Sequence, residues 1–265
     1  MNLLFTVCGR AGSKGVKNKN IRDFSGYPLF LYTLSAIDLF IKENQVDGLI
    51  IHTCVSTDSP DLLGAVSKQN VVPVYPLKRS PKLCGDFVGK VSVIKDCLIN
   101  SNEYYGVKHD IVVDLDLTSP IRGITDITNA IDTAIAHNEH DIVFSVTNAR
   151  RSPYFDLVQL TEGEGYKPVI KSKFTARQQV PLVYDMNASI YVYKSSFLER
   201  LNSDLLFEGN CGITIMEDTG ILEIDSEQDF ALMEYLSKYF LVHNPEFADI
   251  VKNIPNLSKF IAVNG

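Results

Sequence analysis

The sequence predicts an α/β fold, a doubly wound and mostly parallel sheet carrying one inserted β-ribbon. Three observations support this. Short continuous apolar runs alternate with stretches of helical period over residues 1–146, which is the signature of successive βαβ units. The runs lack polar alternation, as strands covered by helices on both faces do. From residue 147 to 186 the helical period stops, and a polar, turn-rich stretch follows with Gly163, Gly165, Pro168 and Pro181.

Residues 3–8 are the first expected strand. A helix is expected over 28–41, where Leu29, Tyr32, Ile37 and Phe40 fall near helical spacing. Residues 49–55 and 71–75 read as further strands, 88–99 as a helix and 111–115 as another strand. Ile124, Ile127, Ile131 and Ile135 form an amphipathic helical stripe ahead of a strand over 142–146. So long a stretch as 147–186 without helical period is uncommon as a bare loop, so it is read as an inserted lobe. The main domain resumes as a strand at 188–193, with short strands over 213–216 and 221–224. Ser226-x-x-Asp229 is a capping box opening a helix that buries Phe230, Met233, Leu236 and Phe240. The expected organisation is one domain over 1–243, with 147–186 inserted, and a helical appendage over 244–265.

Composition narrows the function classes. The 265 residues are 45% hydrophobic and 22% charged, ordinary for a soluble globular protein. A net charge of −7 argues against general affinity for nucleic acid or an anionic membrane. The five cysteines are odd in number, widely spaced and without C-x-x-C, as in reduced thiols of a cytoplasmic protein. Residues 1–22 depart from this balance: they hold Arg10, Lys14, Lys17, Lys19 and Arg22 and no acid. A cationic island this small suits a small polyanion.

The island follows the first strand as VCGRAGSKGVKNKN, residues 7–20. Glycines let backbone N–H groups approach phosphate oxygens, and Arg and Lys neutralise their charge. The spacing G-x-x-G-x-x-G at Gly9, Gly12 and Gly15 is neither a Walker A loop nor a dinucleotide fingerprint. In such sheets ligands bind beyond the carboxyl ends of the strands, where this loop would lie. Two acidic features accompany it. Asp114-Leu115-Asp116 ends a buried strand, and Glu217, Asp218, Glu223, Asp225, Glu227 and Asp229 crowd a later stretch. Hard divalent cations take such oxygens.

The stretch GRAGSKGVKNKNIRDFSGYPL resembles the A-R-G-G-S-K-G…K-N signature of the sugar-nucleotide cytidylyltransferases, acylneuraminate type. Further landmarks follow in family order: Val55-Ser56-Thr57-Asp58, Arg79-Ser80-Pro81, and Leu115-Asp116-Leu117-Thr118-Ser119-Pro120-Ile121-Arg122. Arg150-Arg151-Ser152-Pro153-Tyr154-Phe155, Arg177-Gln178-Gln179, Tyr184-Asp185-Met186-Asn187-Ala188-Ser189-Ile190-Tyr191 and Glu223-Ile224-Asp225-Ser226-Glu227 complete the series. The resemblance implies a nucleotidyltransferase of GT-A-like, Rossmann-type fold. It would join CTP to a nonulosonic acid, a sialic, legionaminic or pseudaminic type of sugar acid, and release pyrophosphate. Carried over residue by residue, it implies nucleotide binding by Cys8, Gly9, Arg10, Gly12, Ser13, Lys14, Asn20 and Arg79. Arg10, Lys19 and Asp225 would be catalytic, and Asp225 with Glu223 would hold Mg²⁺ or Mn²⁺. Asp116, Thr118, Ser119, Arg177, Gln178 and Asn187 would meet the sugar.

Two positions depart from the family pattern: Asp116 stands where many sialic acid enzymes have Gln, and Glu223 where Asp is common. Asp116 is therefore expected to alter sugar choice, favouring a legionaminic-like acid, or to assist the metal. The resemblance also implies a homodimer in which the 147–186 lobe reaches the neighbouring active site. Two rival classes stand beside this reading: a D-x-D glycosyltransferase using a nucleotide sugar, and a non-catalytic sensor that binds nucleotide.

Overall fold

The computed structural model describes residues 1–12, 15–69, 72–85, 88–219 and 223–258. Within them lie β1 (Asn2–Gly9), β2 (Asp23–Phe24), β3 (Tyr27–Pro28), α1 (Phe30–Glu43), β4 (Ile50–Thr57) and α2 (Pro60–Lys68). There follow β5 (Tyr75–Lys78), α3 (Lys90–Tyr105), β6 (Ile111–Leu115), α4 (Ile124–Ala136) and β7 (Ile142–Asn148). The chain continues through β8 (Val158–Thr161), β9 (Gly165–Pro168), β10 (Tyr184–Lys194), α5 (Ser195–Arg200), β11 (Cys211–Ile215), α6 (Glu227–His243) and α7 (Pro245–Ser258).

Seven strands form one sheet in the order β5-β4-β1-β6-β10-β7-β11. Only β10 runs against its neighbours; the other pairings are parallel. The reason is local. The excursion between β7 and β10 leaves and returns at the same end of the sheet, pairing Tyr184 with Asn148, so β10 must run back along β7. Alternate residues of β1 serve opposite faces. Leu3, Phe5 and Val7 join a core built with α1, α2, α4, α6 and α7, whereas Leu4 joins the one built with α3 and α5. The doubly wound expectation is met.

Several boundaries differ from expectation for identifiable reasons. The strand expected at 71–75 begins only at Tyr75, and Val71 lies outside the described residues. Val72 is instead held by the Gln69 amide, which donates to its carbonyl and accepts from its N–H. Pro76 is tolerated because β5 is an edge strand. Helix α2 was not foreseen, although Ser59 caps it and Pro60 opens it. The stripe on α4 turns at its end: Ala134 is buried and Ile135 exposed. No strand forms at Glu223 and Ile224, and Ile221 and Leu222 lie outside the described residues. Ile224 is instead fully buried, its N–H donating to the Thr118 carbonyl.

The lobe emerges as an exposed hairpin, β8 with β9. Its return strand starts earlier than expected, at Tyr184, and its register breaks between Met186 and Tyr191, where Ala188 has φ 52°.

The C-terminal helix is no loose appendage. Phe247, Ile250 and Ile254 on α7 are buried in the core beneath α1. Ser35 Oγ donates to the Ile250 carbonyl at 2.6 Å, and Asn253 Nδ2 to Asp38 Oδ2 at 2.8 Å. Tyr32 and Phe247 stack with ring centroids 6.2 Å apart. Among the described residues no helix is long and apolar enough to cross a membrane. Deleting the Phe247 ring should leave a cavity the two helices cannot close. Phe247→Ala is expected to cost about 3–5 kcal/mol in urea denaturation, whereas Val242→Ala, at a position 76% exposed, should stay within about 0.5 kcal/mol.

Candidate active site

The carboxyl ends of β1, β4 and β6 lie side by side, with Gly9 opposite Thr57 and Thr6 opposite Asp114. The glycine loop leaves the sheet there. Over it folds the segment 223–225, more than two hundred residues further along the chain. The approach is close enough to dictate residue type. A Cβ on Gly15 would lie 1.7 Å from the Asp225 carbonyl oxygen, so only glycine fits. The Lys19 ammonium donates to the Ile224 carbonyl and lies 3.6 Å from Asp225 Oδ1. Helix α6 fixes the segment from the other side. Asp229 Oδ2 accepts from the N–H groups of Asp225 and Ser226, and Ser226 Oγ from Asp229 N–H, completing the expected capping box.

A cleft of about 310 Å³ results, lined by Cys8, Gly9, Arg10, Gly15, Lys19, Asn20, Asp116, Thr118, Glu223 and Asp225. A smaller hollow beside it is bounded by Arg10, Gly12, Lys19 and Asn20. Asn20 Nδ2 donates to the Arg10 carbonyl at 3.2 Å, and the Ala11 N–H donates to Asp58 Oδ1 at 2.6 Å, so both ends of the loop are braced. Cations on the loop thus face carboxylates on the opposite wall.

Glu223 and Asp225 suit a hard divalent cation. Burial raises the Glu223 carboxyl above its ordinary range, and the nearby Asp225 and Asp116 charges push it the same way. Crowded carboxylates of this kind are relieved by a bound cation, and Mg²⁺ is commonly held by one or two of them together with substrate phosphates. Asp116 is differently placed. Its Oδ2 accepts from Lys90 Nζ at 2.6 Å, and its Oδ1 from the Thr118 N–H at 2.8 Å and hydroxyl at 2.7 Å. Burial opposes its charge, but Lys90 and Thr118 outweigh this and hold the carboxyl at about 2. Asp114, fully buried, accepts from Thr6 Oγ1 and pairs with Lys90 at 2.8 Å. The D-x-D pair is therefore ion-paired to Lys90.

Other expected residues fall outside the cleft. Arg79 is buried, donating to the Ser56 carbonyl at 3.1 Å, and braces the end of β4. Ser119 is buried, its carbonyl accepting from Arg122. Asn187 is committed to the strand irregularity: its Oδ1 accepts from Ser145 Oγ at 2.5 Å and its Nδ2 faces Met216 Sδ at 3.4 Å. Arg177, exposed on the lobe, pairs with Asp156 at 3.2 Å and lines a separate hollow; Gln178 is exposed beside it. Ser13 and Lys14 lie outside the described residues. Lys90 was missed. It is a single cation opening α3 with no motif around it, and only the fold, which lays α3 over β1 and β4, brings it to Asp114 and Asp116.

A glycine-rich basic loop thus faces a carboxylate pair at the head of a doubly wound sheet. Residues 5–238 match the family described as Cytidylyltransferase. The chain belongs to the cytidylyltransferase family. It is 38% identical over 239 residues to Post-translational flagellin modification protein B of Campylobacter coli, covering 89% of this chain and 95% of that protein. It is 36% identical to the CMP-N,N'-diacetyllegionaminic acid synthase of Campylobacter jejuni, covering 88% and 94% respectively. The fold is similar to that of CMP:2-keto-3-deoxy-manno-octonic acid synthetase complexed with CTP, with a TM-score of 0.61 and 15% identity over 90% of this chain and 99% of that one.

Gly15→Ala tests the contact between the two walls. The added methyl must push Asp225 away by more than an ångström, and kcat/KM is expected to fall about hundredfold, with the circular-dichroism spectrum unchanged. Gly64→Ala, at an open helical position, is the control.

Proposed function

We propose that this chain uses CTP to activate a nonulosonic acid, giving the CMP-sugar and pyrophosphate, with a legionaminic-like acid as the sugar. The observation that carries this is the cleft itself, where Arg10 and Lys19 face Glu223 and Asp225 across the carboxyl ends of β1 and β6. The relative named for CMP-N,N'-diacetyllegionaminic acid synthesis supports the sugar class.

In this reading the triphosphate lies along the loop, contacted by the backbone of Cys8, Gly9 and Gly12 with Arg10, Lys14 and Asn20. The anomeric hydroxyl of the sugar acid attacks the α-phosphorus. The bond from that phosphorus to the β-phosphate oxygen breaks, and pyrophosphate leaves. Such transfers need in-line positioning and charge neutralisation rather than covalent help from the protein. Arg10 and Lys19 offset the charge on the departing pyrophosphate. A carboxylate of the Glu223–Asp225 pair takes the hydroxyl proton. Mg²⁺ held by the same pair would supply Lewis-acid polarisation of the phosphates. Asp116 and Thr118 face the sugar.

The D-x-D glycosyltransferase reading loses support because Asp114 is fully buried and both Asp114 and Asp116 are paired with Lys90. We also propose that the lobe pairs with a second copy of the chain. Val158, Leu160, Tyr166 and Leu182 leave an apolar surface on it, 59–85% exposed. Pairing would bring Arg177 and Gln178 toward a neighbouring cleft.

The test is a pyrophosphate-release assay crossing CTP, UTP, ATP and GTP with a panel of 3-deoxy-2-keto sugar acids. Release with CTP and a legionaminic-type acid is expected; release with another nucleotide alone would reject the reading. Arg10→Ala and Asp225→Ala should each lower kcat/KM at least about hundredfold while leaving the fold intact. Near-normal turnover of Asp225→Ala would remove its assignment.

A further inference from the structure

Lys90 joins two carboxylates that the D-x-D spacing leaves side by side. Its Nζ lies 2.8 Å from Asp114 Oδ2 and 2.6 Å from Asp116 Oδ2, and sits 5.1 Å from the centre of the Tyr191 ring. The helix presenting it is itself anchored. Asp204 accepts from the N–H groups of Gly89 and Ser92 at the start of α3. Arg122, buried behind the pair, donates to the carbonyls of Asp116 and Ser119. The two carboxylates thus share one close cation, Lys90, while Arg122 is held by backbone carbonyls behind them. Removing one partner from so enclosed a group leaves an uncompensated buried charge.

The remaining capacity of Asp116 follows by counting. An ionised carboxylate has about four acceptor positions. Lys90 and the two Thr118 donors fill all but one of them, and Asp116 lines the cleft. We propose that Lys90 is a positioning residue for the sugar-acid substrate: it holds Asp116 as an oriented carboxylate with one open acceptor position, which receives a single hydroxyl of the sugar acid. The proposal rests on the sugar-activating function above. Lys90, its side chain 32% exposed, reaches the cleft through Asp116. The nucleotide side lies at Arg10, Gly12 and Asn20.

The experiment compares the wild-type protein with Lys90→Met, Lys90→Arg, Asp116→Asn and the double variant Lys90→Met/Asp116→Asn. Wild-type turnover with CTP and a sugar acid is established first; its failure would sink the functional reading before Lys90 is addressed. CTP affinity is measured by calorimetry, and KM for the sugar acid by pyrophosphate release. Lys90→Met should raise the sugar-acid KM roughly ten- to hundredfold, the scale of one charge-assisted hydrogen bond, with CTP affinity within about twofold. Lys90→Arg should recover most of the loss. The double variant should be no worse toward the sugar acid than Asp116→Asn alone, because Lys90 reaches the sugar only through the Asp116 carboxylate. Equal weakening toward both substrates would overturn the proposal, as would losses that multiply in the double variant. Should Lys90→Met fail to fold, Lys90→Arg and the charge-balanced double variant carry the same comparison. A double variant bound to CTP but much weaker toward the sugar than Asp116→Asn would then count against it.

Discussion

The site depends on the contact between Gly15 and the Asp225 backbone. Without it the glycine loop would be a basic turn on one wall and residues 223–225 an acidic turn on another. With it, a cationic surface and a carboxylate pair face each other across one cleft. Lys19 reinforces the contact from below, ion-paired to Asp225 and hydrogen-bonded to the Ile224 carbonyl. Ile224 in turn anchors in the core and to Thr118. Three stretches of chain, at 9–20, 116–118 and 223–225, are thereby locked into one arrangement.

Charge is distributed unevenly over that arrangement. Asp114 and Asp116 share the Lys90 ammonium, and Arg122 lies behind them on the backbone carbonyls. Glu223 and Asp225 are balanced only in part by Lys19, and burial, together with the Asp225 and Asp116 charges, raises the Glu223 carboxyl. We propose the cation at the second pair and not the first, although both have the D-x-D-like spacing. Sequence spacing brings acids together; the neighbours from other elements decide which of them can take a metal.

The same distinction separates what was legible in the sequence from what was not. The runs at 71–75 and 223–224 did not become strands where expected, whereas the strands β1, β4, β6 and β7 carry a local signal, a continuous apolar run, and read correctly. So did the Ser226–Asp229 capping box, whose geometry is complete within one helical turn. Lys90 had no local signal, since its partners come from β6. Arg79 and Asn187 sit in recognisable motifs, yet the fold turns their side chains onto Ser56 and Ser145. Motif position does not tell which way a side chain is committed. Helix α2 has its local signal in Ser59-Pro60, a capping serine followed by proline in the first turn. The burial of α7 follows from Phe247, Ile250 and Ile254, whose spacing marks one helical face; that stripe was open to reading but its partner α1 was not.

That the loop and the acidic segment form a single site is tested most directly by calorimetric titration of CTP with and without Mg²⁺. The comparison is between the wild-type chain and Glu223→Gln/Asp225→Asn, in which no loop residue is altered. Wild-type affinity is expected to rise when Mg²⁺ is added. In the double variant that rise should disappear, while metal-free CTP still binds at least as well because two facing negative charges are gone. A Mg²⁺ enhancement that survives the substitutions intact would contradict the shared site.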